Sequence, residues 1–203
     1  MSVKVKICGL TNVADARYAL ACGADYLGFV LHPASSRYLA PEALRDLLHR
    51  LPGTAVTVGV TVNRSAEENR ELMRFCGFDI LQLHGGEPPR ILDELAGLRV
   101  WKAVHLKTAE NLDLIEEYRK AEVIVVDASQ GGSGICCDWR LAGRAAKLHK
   151  VALAGGITPD NVAEALEIAH PAVIDCSGGV EASPGIKDYH KLIALLEKVK
   201  HHE

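Results

Sequence analysis

No apolar run in this chain approaches the ~20 residues that a membrane-spanning helix needs, and its first residues hold no apolar secretory core. Neither sign of charge dominates. Twenty-three basic residues stand against 26 acidic ones, a formal net charge of −3, so neither nucleic acid nor an anionic membrane is expected as a partner. There is no CxxC pair among the six cysteines, Cys8, Cys22, Cys76, Cys136, Cys137 and Cys176, which argues against structural zinc. Their scatter through strand and helix patterns argues against a disulfide framework as well. Reduced thiols in a cytoplasmic chain, most of them small apolar core residues, are the expectation. Also missing is a G-x-G-x-x-G turn after the first strand, the signature of an open dinucleotide-binding sheet.

What is present is 48% hydrophobic residues over 203 positions, enough for one full core in a single domain, residues 1–203. The opening stretch, 3–11, alternates apolar residues with lysines, which reads as a strand with one face buried. Cys8 stands at its end and Gly9 breaks the pattern. Thr11 and Asn12 are good caps for an apolar helix over 13–21. The same unit recurs. Strands are expected over 25–31, 56–62, 79–83, 100–106, 122–126, 151–153 and 172–175. Helices are expected over 41–51, 66–76, 88–96, 109–120, 139–149, 159–169 and 188–200, the first opened by Pro41 and stopped by Pro52-Gly53. About eight βα units without a break in composition make an α/β fold, a single (β/α)8 TIM barrel.

In such a barrel the site lies at the C-terminal strand ends. Gly155-Gly156 and Ser177-Gly178-Gly179 fall after the last two strands. Glycines there serve tight turns, and they also let backbone N–H groups approach a phosphate; pairs at two adjacent strand ends favour phosphate. Cys8 and Asp127 are candidates for acid–base work, or else a buried filler and a loop anchor. Arg37 offers a planar fork to a carboxylate, or is a solvated loop arginine. Gln82 and His84, two apart on one strand, face the same side. His84 is then a ligand-contacting group or a satisfied structural histidine, and His105 is a weaker candidate. No convergence of ligating residues points to a metal.

The order of these pieces resembles the phosphoribosylanthranilate isomerase family of tryptophan biosynthesis. The likeness runs through Lys6-Ile7-Cys8-Gly9-Leu10, Gly28-Phe29-Val30 with Ser36-Arg37-Tyr38, Gly59-Val60 with Val62-Asn63, and Gln82-Leu83-His84-Gly85 with Glu87. It continues through Asp127, Gly131-Gly132-Ser133-Gly134 with Asp138-Trp139, Leu153 to Pro159, Asp175, Ser177, Gly179-Val180-Glu181 and Ser183 to Asp188. The resemblance implies a cofactor-free Amadori rearrangement of an aminoaldose phosphate to an aminoketose phosphate. Asp127 would protonate the ribose ring oxygen, and Cys8 would take the proton from the adjacent sugar carbon. Arg37 would hold the anthranilate carboxylate; Gly155, Gly156, Ser177, Gly178 and Gly179 would bind the phosphate, with Gln82 and His84 at the substrate.

The only partner implied is a small-molecule substrate, the chain acting as monomer or homodimer. The rivals are a bifunctional isomerase that also takes a two-phosphate histidine-pathway substrate, and a non-catalytic phosphate-binding barrel. The chain departs from the family at Ile135-Cys136-Cys137, where lysine and phenylalanine are usual, at Thr61 in place of phenylalanine, and at Cys176 and Gly178 in place of valine and serine. Glycines 131, 132 and 134 suit a lid over the substrate, and the Cys136-Cys137 pair within it invites oxidation.

Overall fold

Runs rich in Val, Ile and Leu cannot leave either face in water, and here they bury both. In the computed structural model, which describes residues 2–127 and 138–202, eight parallel strands close into a barrel in chain order. They are β1 Lys4–Ile7, β2 Tyr26–Val30, β3 Thr57–Thr61, β4 Ile80–Leu83, β5 Val100–His105, β6 Val123–Asp127, β7 Val151–Leu153 and β8 Val173–Cys176. Between and after them run α1 Val13–Ala21, α2 Pro41–Leu48, α3 Ala66–Cys76, α4 Ile91–Glu94, α5 Asp113–Glu117, α6 Trp139–Ala146, α7 Val162–Ala169 and α8 Tyr189–Lys200. A small hairpin, β9 Glu181–Ser183 with β10 Ile186–Lys187, sits between β8 and α8.

The residues sort into two cores. Tyr26 meets Trp101 edge-on with ring centroids 5.0 Å apart; β2 and β5 are not neighbours, so this contact crosses the barrel interior. Val58, Ile80, Val123, Val125, Ala152 and Val173 join it. The alternate positions, among them Ile7, Leu27, Phe29, Leu83 and Val126, pack outward against Leu44, Leu72, Leu141, Leu166 and Leu192 of the helices. Side chains cap the starts of α1, α3, α6 and α8. The Asn12 amide oxygen accepts from Asp15 N–H, and Ser65 with Glu68 forms a reciprocal capping box.

The barrel is the expected one, with local differences. Lys6 is fully buried rather than solvent-facing, because its register partners are Tyr26 and Asp175 on the interior side. Helix α4 is one turn, delayed until after Pro88-Pro89. The expected helix over 109–120 divides into a 3-10 turn, Ala109–Leu112, and α5; Asn111 Oδ1 there accepts from Lys107 and Thr108 N–H and tightens the start. Helices α2 and α6 end three residues earlier than expected, and α7 starts three later, after Thr158 N–H binds Asn161 Oδ1. The glycine loop 129–134 and Ile135-Cys136-Cys137 lie outside the described residues.

Candidate active site

Register determines what faces the mouth. Gln82 pairs with Trp101, and Asp127 with His105, so these side chains share the interior side. Cys8 follows two residues after Lys6 on β1 and stands three strand positions from Asp127 around the ring. Asp127, at the end of β6, is buried. Gln82 Nε2 lies 3.0 Å from His84 Nδ1. An amide nitrogen donates, so neutral His84 carries its proton on Nε2, and Nε2 faces Asp127 Oδ2 at 3.6 Å. His105 completes the group, its ring centroid 6.1 Å from that of His84. Burial, then the neighbouring His84, pulls the His105 imidazole below its ordinary value and favours its neutral form.

Cys8 occupies the opposite wall. Its sulfur and the Lys6 Cε rest on Gly28, at 2.8 and 2.9 Å from where a Cβ would stand, so glycine alone leaves space there. Lys6 Nζ donates to Asp175 Oδ2 at 2.8 Å with both side chains buried. Burial pushes the Cys8 thiol up, and the Lys6 ammonium opposes that shift. The Arg37 fork reaches the same wall. Its Nε and Nη2 donate to Glu181 Oε1 and Oε2 at 2.8 and 2.7 Å, and Glu181 also receives Lys187 Nζ at 3.0 Å. Lys187 Nζ further donates to the Cys8 carbonyl at 2.7 Å, tying the β9–β10 hairpin to the end of β1.

The glycine turns after β7 and β8 touch. A Cβ on Gly179 would fall 1.8 Å from the Ile157 carbonyl oxygen. Gly155 and Gly156 adopt φ of +81° and +65°, the left-handed region that favours glycine. Asn161 Nδ2 donates to the Gly156 carbonyl at 2.9 Å and braces the loop ahead of α7, while Gly178 opens a 3-10 turn after Ser177. Adjacent turns and a helix start make a cradle suited to an oxyanion.

A family model for N-(5'-phosphoribosyl)anthranilate (PRA) isomerase matches residues 5–198. The chain belongs to that family. The N-(5'-phosphoribosyl)anthranilate isomerase of Geobacter metallireducens is 41% identical over 202 residues, which cover 98% of this chain and 99% of that one. The Thermotoga maritima phosphoribosyl anthranilate isomerase crystal structure matches with a TM-score of 0.92 at 34% identity, covering 98% of both chains. A crystal structure of the same enzyme type in complex with reduced 1-(o-carboxyphenylamino)-1-deoxyribulose 5-phosphate matches with a TM-score of 0.89, at 34% identity over 98% of both chains.

Beside the residues expected from sequence, the mouth of this PRA isomerase family member holds Lys6, Asp175, Glu181 and Lys187, all buried and charged. None of the four carried a local signal for this place: the alternation around Lys6 read as a solvent face, and all four belong to stretches matched to the family, where nothing local reveals their long-range partners.

Proposed function

We propose that this chain is a phosphoribosylanthranilate isomerase, converting N-(5'-phosphoribosyl)anthranilate to 1-(2-carboxyphenylamino)-1-deoxyribulose 5-phosphate without a cofactor. The observation that carries the reading is the pairing of a thiol and a carboxyl group across one barrel mouth, with a glycine cradle beside them. Asp127 protonates the ring oxygen; the C–O bond breaks and leaves a protonated Schiff base. Its positive nitrogen acidifies the adjacent carbon, and the Cys8 thiolate removes that proton to give an enolamine. Tautomerisation then yields the ketone. Gly155, Gly156, Ser177, Gly178 and Gly179 grip the phosphate through backbone N–H groups, with Gln82 and His84 lining the wall around the sugar. Arg37 takes the anthranilate carboxylate on the guanidinium edge that Glu181 does not hold.

The two-phosphate alternative is disfavoured by the opposite wall. Asn63 N–H and Gly85 N–H bond to the Glu87 carboxylate, and Gly86 N–H bonds to Asn63 Oδ1, so these donors are already engaged. All the groups named come from one chain, so a monomer is catalytically complete whether or not it pairs as a homodimer. The whole chain, 1–203, acts as one barrel domain. Cytoplasmic location fits the unpaired thiols Cys8, Cys22, Cys76 and Cys176, and no helix among the described residues is long and apolar enough to cross a membrane. The test is loss of phosphoribosylanthranilate fluorescence on adding purified protein, with the two-phosphate substrate assayed in parallel. Turnover of the first alone is expected. No turnover of it overturns the reading.

A further inference from the structure

Cys8 is half-buried at the mouth, and desolvation there makes its thiol resist ionisation, yet a base at this position must be a thiolate. Four charged groups face it: Lys6 on its own strand, Asp175 on β8, Lys187 on β10, and Arg37 from the loop after β2. Lys187 spends its ammonium on Glu181 and two carbonyls, those of Cys8 and Ser177, and Arg37 is forked onto Glu181. Lys6 is different. It lies wholly inside the barrel, and its Cε and the Cys8 sulfur both come within 3 Å of the one point where a Gly28 Cβ would stand, at 2.9 and 2.8 Å, so the two side chains are neighbours. Asp175 takes it through Oδ2 only; Asp175 Oδ1 is buried and has no hydrogen-bond partner among the described residues. A carboxylate so placed keeps the amine protonated, and the Lys6 ammonium is held above its ordinary value although burial opposes it. A Schiff-base lysine needs the neutral amine, so that role does not suit Lys6.

We propose that Lys6 is the positioning residue that makes Cys8 usable as a base: its buried ammonium is the counter-ion of the thiolate, and Asp175 holds it in place. The thiol proton leaves to water through the mouth, Lys6 keeps its own proton, and the thiolate is then free to take the proton from the sugar carbon. The inference rests on the proposed base role of Cys8, and its test does not require turnover. Iodoacetamide alkylates the thiolate, so the pH dependence of alkylation of the Cys8 peptide, followed by mass spectrometry, reports the thiol directly.

Lys6→Met alone strands the buried Asp175 charge and risks unfolding, so the deciding variant is Lys6→Met with Asp175→Asn, which removes both charges. The ammonium acts on the thiol more strongly than the Asp175 carboxylate does, so the net effect is upward. The alkylation midpoint should rise by about 1 pH unit, the low end of the reach of one close opposite charge, because loss of the Asp175 carboxylate offsets part of the loss of Lys6, and the rising limb of kcat/KM should move with it. A purely structural pair would lower activity and leave the midpoint in place. An unmoved midpoint in the folded double variant overturns the proposal. In wild type the Lys6 Nζ resonance should titrate with the thiol and lose that step in Cys8→Ser; identical titrations also overturn it. A shifted midpoint in a protein that does not turn over phosphoribosylanthranilate would sink the function and leave the Lys6–Cys8 coupling standing.

Discussion

Cys8 and Asp127 have opposite needs, one having to lose a proton and the other to hold one. Cys8→Ser and Asp127→Asn should each lower kcat by at least about 10²-fold, the lower range for a general base or acid, with KM little changed. A variant that keeps near-normal turnover removes its residue from the mechanism. Because burial pushes the Cys8 thiol up, the thiolate fraction grows as pH rises. The kcat/KM of wild type should therefore climb with pH on a limb above the usual thiol range. A limb in the carboxylate range alone would point to another base. Arg37 is a double case. Arg37→Ala should cost about 2–3 kcal/mol of transition-state stabilisation, the scale of a charge-assisted bond. It also strands Glu181, so the melting temperature should fall as well. A substrate analogue without the carboxylate separates the two effects, since it should bind wild type and variant alike if the guanidinium meets that group.

At the scale of elements, the β9–β10 hairpin escaped a reading by local pattern. Its strands are three and two residues long, too short for periodicity, and its anchors are distant in sequence. Glu181 bonds Arg37 across 144 positions, and Lys6 bonds Asp175 across 169. No local window shows such pairs. The eight strands were legible because buried parallel strands read as apolar runs, whereas lysines inside a barrel mimic a solvent face. Helix ends were less legible, since Asn111 and Asn161 tighten them through side-chain bonds. Of the candidate site, the strand-end residues Cys8, Asp127, Gln82 and His84 could be placed from sequence; the ion pairs that surround them could not. The hairpin carries its own pH signature. Burial works against ionised Glu181, but Arg37 and Lys187 outweigh it and hold the carboxyl below its ordinary value. Its contribution to stability is therefore present above the unfolded carboxyl value and is lost as pH falls through the lower folded one. Acid titration of melting temperature should show this loss in wild type and a flatter curve in Glu181→Gln. Gly179→Ala is the matching test of the glycine turns. The added methyl meets the Ile157 carbonyl, so a loss of about 1–3 kcal/mol in stability is expected, together with a raised KM if the cradle binds phosphate.

For the whole molecule, two concentric cores supply the stability, and charge is placed where it orders the mouth. Lys102 points outward from β5, yet it is buried, with Nζ 3.1 Å from Glu87 Oε2 and donating to the Gly85 and Ala103 carbonyls. Glu87 in turn binds the Asn63 and Gly85 N–H groups, so this pair fixes the loops after β3 and β4 beside His84. The arrangement is not cheap. Burial pulls the Lys102 ammonium below its ordinary value in spite of Glu87, which means that the charge is less comfortable here than in water. Removing one partner leaves the other uncompensated: Lys102→Met should cost at the lower end of about 3–5 kcal/mol, because two backbone donors still serve Glu87. Removing both should be close to neutral. Chemical denaturation of Lys102→Met, of Glu87→Gln and of the double variant measures this directly. A double variant as stable as wild type but with raised KM would show that the pair is kept to order the mouth. A double variant as unstable as the worse single one would instead make the pair a net source of stability for the barrel.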